Sequence, residues 1–161
     1  MLKYLYSFKY FVLISIIFCY LFKLSDAKVY TRCGFKDELV FNKFDKTFIP
    51  QWACMVDSES GRDTTKVGVG PSGSQKFGIF QINSKDYCQK GKAGGHCNIK
   101  CEDLLNDDIT DDSKCAKLVQ QREGFLAWDG WRLSCKNRNL DGYLSFCPET
   151  PPMRRKFDKR G

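Results

Sequence analysis

His96 is the only histidine in the sequence, and after the apolar stretch near the start there is no second long hydrophobic run. The first shortage weakens a zinc reading, which would rest on His96 and the Cys97-x3-Cys101 pair. The second leaves no later segment near the ~20 apolar residues that a membrane span needs. Charge of one sign is also scarce in the middle of the chain. Of the formal +7, residues 1–27 carry +2 and residues 148–161 carry +3, which leaves +2 for residues 28–147. So small an excess gives little support to nucleic-acid binding. Proline is sparse, and three of the five fall in PETPPMRRKFDKRG, residues 148–161. That segment is basic, lacks apolar periodicity and reads as a disordered tail. There is no internal repeat.

Residues 1–27 read as a signal peptide. Lys3 and Lys9 precede an apolar run from Tyr10 to Phe22, and Ser25-Asp26-Ala27 sets small residues at the −3 and −1 positions of a cleavage site. The mature chain would start at Lys28 and be secreted, with one domain over residues 28–147 large enough for a modest core.

Cysteine is plentiful by contrast. Cys19 lies in the signal peptide, and eight others remain: Cys33, Cys54, Cys88, Cys97, Cys101, Cys115, Cys135 and Cys147. An even number in a secreted domain of this size implies four disulfides, and spacing alone leaves about a hundred pairings open. Oxidation outside the cell argues further against zinc.

The chain changes character along its length. GFKDELVFNKF (34–44) has roughly helical spacing of Phe35, Leu39 and Val40. Pro50 suits the first turn of a second helix with Trp52, Met55 and Val56 on one face, and Gly61 suits its end. Residues 61–83 are rich in Gly, Ser and Thr, with turn signals at Gly68, Gly70-Pro71 and Ser72-Gly73-Ser74. After those turns, Phe77, Ile79, Phe80 and Ile82 predict a strand of a small antiparallel sheet. Helices return after Cys97. Thr110 is a predicted cap, with Asp111 and Asp112 in the first turn where the helix dipole favours acids. FLAWDGW (125–131) is a short aromatic segment. The fold class is α+β: a helical lobe interrupted by a small β lobe, with a cleft between them.

Glu59 lies on the apolar face of the second helix, seven residues after Trp52. Burial favours the neutral form of a carboxyl, which suits a proton donor. On geometry alone, a glutamate at a fraying helix end that points to water is the plainer reading. The surroundings change the balance. WACMVDSES, FGIFQINS, LLNDDIT, AWDGW and the start KVYTRCGF, inside the eight-cysteine frame, resemble the c-type lysozyme and α-lactalbumin family over residues 28–147. The short gap between Cys88 and Cys97 is similar to its insect members. The resemblance implies the c-type lysozyme fold and the pairs Cys33–Cys147, Cys54–Cys135, Cys88–Cys101 and Cys97–Cys115. It also implies that Glu59 is the general acid. A second carboxylate should then stand just before an aromatic-glycine pair, about 5 Å away, as a retaining glycosidase requires. The pair here is Phe77-Gly78, and the residue before it is Lys76.

Lys76 thus occupies the nucleophile's position with the opposite charge, and the expectation is inactivation. Asp57 falls off the Glu59 face, and Asp63 is the nearby acid that could substitute. The resemblance also implies a sugar-binding surface of Asn83, Ala127 and Trp128, with Tyr87 near a position where the family often has a sugar platform. Residues 103–112, DLLNDDITDD, resemble the family's calcium elbow. By position the ligands would be the carbonyls of Asp103 and Asp108 and the side chains of Asn106, Asp111 and Asp112. Asn106 departs from the aspartate of the binding members and weakens the site. The two aspartates also suit a helix N-terminus without any metal. No cofactor is required for the family's chemistry.

Three functions follow from the resemblance. One is a secreted, monomeric antibacterial protein that recognises bacterial cell-wall glycan (peptidoglycan) or chitooligosaccharide, with muramidase activity lost or strongly reduced. Another is an active lysozyme that hydrolyses the β-1,4 bond between N-acetylmuramic acid and N-acetylglucosamine. The third is a non-enzymatic scaffold with a protein partner.

Overall fold

Thr31 starts the first helix: its hydroxyl accepts the Gly34 N–H at 3.0 Å. The computed structural model describes residues 28–150, so the predicted signal peptide and most of the predicted tail lie outside the described residues. Helix α1 (Arg32–Phe41) turns Phe35 and Leu39, one turn apart, fully into the core. Helix α2 (Ile49–Glu59) has Pro50 in its first turn and buries Trp52, Met55 and Val56, as their spacing predicts. It ends where the N–H groups of Ser60 and Gly61 both reach the Val56 carbonyl, with Gly61 in the left-handed region.

The sheet has three short antiparallel strands in the order β1 (Val67–Val69), β2 (Gln75–Phe77) and β3 (Ile82–Asn83). Lys76, in the middle strand, pairs with Gly68 on one side and Asn83 on the other. The single strand predicted over residues 77–82 is instead the end of one strand, a turn and the start of the next. Gly78 (φ 71°) and Gln81 (φ 51°) reverse the chain. Gly78 is required there, because a Cβ would overlap the Leu104 carbonyl oxygen.

Helix α3 (Thr110–Glu123) carries Asp111 and Asp112 in its first turn, as expected. Thr110 is not its cap. It is the first helical residue, and its N–H goes to Asp108 Oδ1 at 3.0 Å. Gly124 ends the helix, a 3₁₀ turn (Gly124–Ala127) follows, and the short helix α4 (Asp129–Ser134) carries the last part of AWDGW.

Trp52 anchors the core, edge-on to Phe44, Phe80, Phe125 and Trp128 at 4.7–5.9 Å between ring centres. The Trp128 indole N–H donates to the Phe80 carbonyl at 2.7 Å, tying the helical side to the turn between β2 and β3. Each such buried aromatic contributes about 1.5–3 kcal/mol. The four disulfides form with the pairing that the family resemblance implies. Losing one from a small secreted domain costs about 2–5 kcal/mol.

Candidate functional site

The site is built where three elements meet. Helix α2 presents Glu59 from its last turn, β2 presents Lys76 and α4 presents Asp129. Glu59 is nearly enclosed, with 7% of its side chain exposed. Its Oε1 accepts the Gly130 N–H at 2.6 Å. Its Oε2 lies 3.5 Å from the Lys76 ammonium. A side chain at position 130 would crowd this contact, since a Cβ there would stand 3.0 Å from Oε1.

Lys76 is itself enclosed, with 10% of its side chain exposed, and its Nζ also lies 3.4 Å from Asp129 Oδ2. The other Asp129 oxygen is held by Arg132. Burial pushes the Asp129 carboxyl up, but Arg132 and Lys76 outweigh it and hold the group below its ordinary value. The result is a chain of alternating charge, Glu59–Lys76–Asp129–Arg132. At 3.5 Å and an effective dielectric of ~20, one such pair attracts by about 5 kcal/mol before desolvation is subtracted.

The other nearby acids are engaged elsewhere. Asp57 is bound by Arg32 at 2.8 Å and by Arg62 and Tyr143. Asp63 accepts both the N–H and the hydroxyl of Thr65 at 2.8 Å. Asp129 is the acid that sequence reasoning missed. Its signal was a carboxylate inside a segment read as aromatic packing.

Beside this ion chain, a cleft cavity of about 270 Å³ lies between the sheet and the helices. Asn83, Tyr87, Ala127 and Trp128 all line it, as do Lys76 and Asp129. Trp128 is buried, Ala127 half-buried, and the Asn83 side-chain oxygen accepts the Lys85 N–H at 2.9 Å. Tyr87 is only 3% exposed, and its hydroxyl is bonded to Glu123, so its ring is not a free stacking face. Burial, and then the bond to Glu123, pushes its phenol up to about 12.

The acidic loop is arranged for its own hydrogen bonds. The Asn106 amide donates to the Asp103 carbonyl at 2.6 Å, and its oxygen accepts the Asp108 N–H at 2.8 Å. One predicted calcium ligand is therefore bonded to another. Asp112, 1% exposed, points inward; a Cβ at Gly78 would lie 2.7 Å from its Oδ1. Neither Asp112 oxygen has a hydrogen-bond partner. Burial, with Asp111 and Asp108 adding to it, holds its carboxyl well above the ordinary range. Among the described residues no three acids, histidines or cysteines converge as a metal site would need. As folded, the loop spends the Asn106 amide and oxygen on its own neighbours.

Comparison with known proteins agrees with the fold. A model of the C-type lysozyme/alpha-lactalbumin family matches residues 28–147. Lysozyme of Bombyx mori is 46% identical over 124 residues, covering 76% of this chain and 89% of the relative. Lysozyme c-1 of Anopheles gambiae is 42% identical, covering 83% of this chain and 94% of the relative. Among solved structures, lysozyme from Equus asinus aligns with a TM-score of 0.66 at 33% identity, over 75% of this chain and 99% of that one. A calcium-binding lysozyme from equine milk aligns with a TM-score of 0.68 at 32% identity, over 74% and 98%.

Proposed function

The chain belongs to the C-type lysozyme/alpha-lactalbumin family, and we propose that it is a secreted defence protein that recognises peptidoglycan and N-acetylglucosamine oligomers with its muramidase activity lost or strongly reduced. One observation carries the reading: the Lys76 ammonium lies 3.5 Å from the Glu59 carboxylate.

Retaining hydrolysis needs a proton from one carboxyl and a second carboxylate about 5 Å away that attacks the anomeric carbon or stabilises its positive charge. An ammonium can do neither. At ~5 Å and an effective dielectric of ~20 it repels the developing cation by ~3 kcal/mol. Exchanging attraction for repulsion is then worth ~6 kcal/mol, an upper bound of about four powers of ten in rate. Glu59 is compromised as well. Both of its oxygens face donors, the Gly130 N–H and Lys76. Asp57, Asp63 and Asp129 each hold other partners.

The glycan-binding part rests on Asn83, Ala127 and Trp128 lining one cavity. Residues 1–27 serve as the cleaved signal peptide, residues 148–161 as a basic extension, and the protein acts as a monomer. No helix among the described residues is long and apolar enough to cross a membrane.

The test is clearing of bacterial cell walls by the purified mature protein beside its Lys76→Asp variant. The native chain should clear walls little, and the variant should gain about a hundredfold or more. Equal clearing by both would reject the role given to Lys76, and vigorous clearing by the native chain would favour the active lysozyme. Chitooligosaccharide titration followed by tryptophan emission tests recognition. An unchanged spectrum at about millimolar ligand would favour a scaffold for a protein partner.

A further inference from the structure

Lys76 and Asp129 both line the cleft cavity, whereas Glu59 is not among its lining residues. The ion chain screens it. That chain runs from Glu59 on α2 through Lys76 on the central strand to Asp129 and Arg132 on α4, so it crosses from the sheet to the helices. We propose that this ionic strap closes one end of the cleft. The cavity then accepts the end of a glycan, one or two N-acetylhexosamine units, and a long chain does not thread through it. The inference rests on the glycan-recognition reading and narrows its ligand class from wall polymer to short fragments and chain ends.

Size and burial support this. A volume of about 270 Å³ falls just below the ~300–1,000 Å³ of sites that enclose a drug-sized ligand. The strap is also held at both ends. Gly130 N–H fixes Glu59, and Arg132 fixes Asp129. A sugar chain passing the strap would separate an enclosed ammonium from both carboxylates, and unpairing buried charge is strongly unfavourable. That cost cancels the contacts that extra sugar units would add. Asp129 is thus a specificity-determining residue. It gives Lys76 a partner on the helical side and so spans the groove.

The experiment is calorimetric titration of the mature protein with N-acetylglucosamine and its dimer, trimer and hexamer. Affinity should rise to the dimer and then level, with the trimer and the hexamer within about threefold of the dimer. A hexamer that binds more than about threefold tighter overturns the strap while leaving glycan recognition intact. Failure of every oligomer to bind at millimolar concentration overturns both. Lys76→Ala and Asp129→Ala, each confirmed as folded by circular dichroism, should regain length dependence, the hexamer exceeding the dimer by about tenfold. A flat length series in both folded variants would also overturn the proposal.

Discussion

The Nζ of Lys76 stands 3.5 Å from Oε2 of Glu59, inside a site where both side chains are almost wholly enclosed. Each charge depends on the other for its tolerance of burial. Glu59→Gln should therefore destabilise the fold by about 2–4 kcal/mol in chemical denaturation, because Lys76 keeps only the half-exposed Asp129. The double variant Glu59→Gln with Lys76→Met should recover most of that loss. Additive effects would show that the pair is not coupled.

Tyr87 predicts an alkaline response. Its phenol is pushed up to about 12 by burial and the bond to Glu123. An unfolded tyrosine titrates near 10. The contribution of the neutral phenol is therefore complete below about pH 10 and is lost as pH rises to about 12. Melting temperature should fall over that window, and Tyr87→Phe should flatten part of the fall. Tyr30, also shifted upward by burial, accounts for some of the remainder.

Asp112 predicts the effect of a neutral isostere. Burial, followed by its acidic neighbours, raises its carboxyl well above the usual value. Protonation is favoured in the fold, so its charge becomes unfavourable as pH rises through that elevated value. Asp112→Asn should raise the melting temperature at neutral pH by roughly 3–6 °C. The gain should shrink as pH falls from that elevated value and be gone below about pH 4, where the carboxyl is neutral in both folded and unfolded chains.

Calcium should leave the melting temperature unchanged. A site filled at one hundred times its dissociation constant would add ~2.7 kcal/mol. With Asn106 bonded to the Asp103 carbonyl and Asp112 turned inward, no such gain is expected between chelator and about millimolar calcium. A calcium-dependent rise of several degrees would show that the loop rearranges around the ion.

The helices and the disulfide class were legible in the sequence because both rest on local or countable signals. The spacing of Trp52, Met55 and Val56 marks the buried face of α2 without any tertiary information. The disulfide partners were not legible from spacing, and came only with the family likeness. Tertiary effects account for the misses. Residues 77–82 alternate like a strand, but Leu104 presses on Gly78 and the chain turns. Thr110 has a capping side chain, yet it is already the first helical residue, and the Ser113 N–H goes to the Ile109 carbonyl. Lys76 was identified by its position next to Phe77-Gly78. Its second partner, Asp129, is fifty-three residues away, a distance no periodicity reports.

The Cys33–Cys147 bond joins residues 114 apart and so closes nearly the whole domain into a covalent ring. Proteolytic cleavage at any single peptide bond between those cysteines opens the ring but releases no fragment. A nicked molecule keeps its mass, apart from one added water, until its disulfides are reduced. A singly nicked molecule therefore stays one particle, and its damage becomes visible only on a reducing gel.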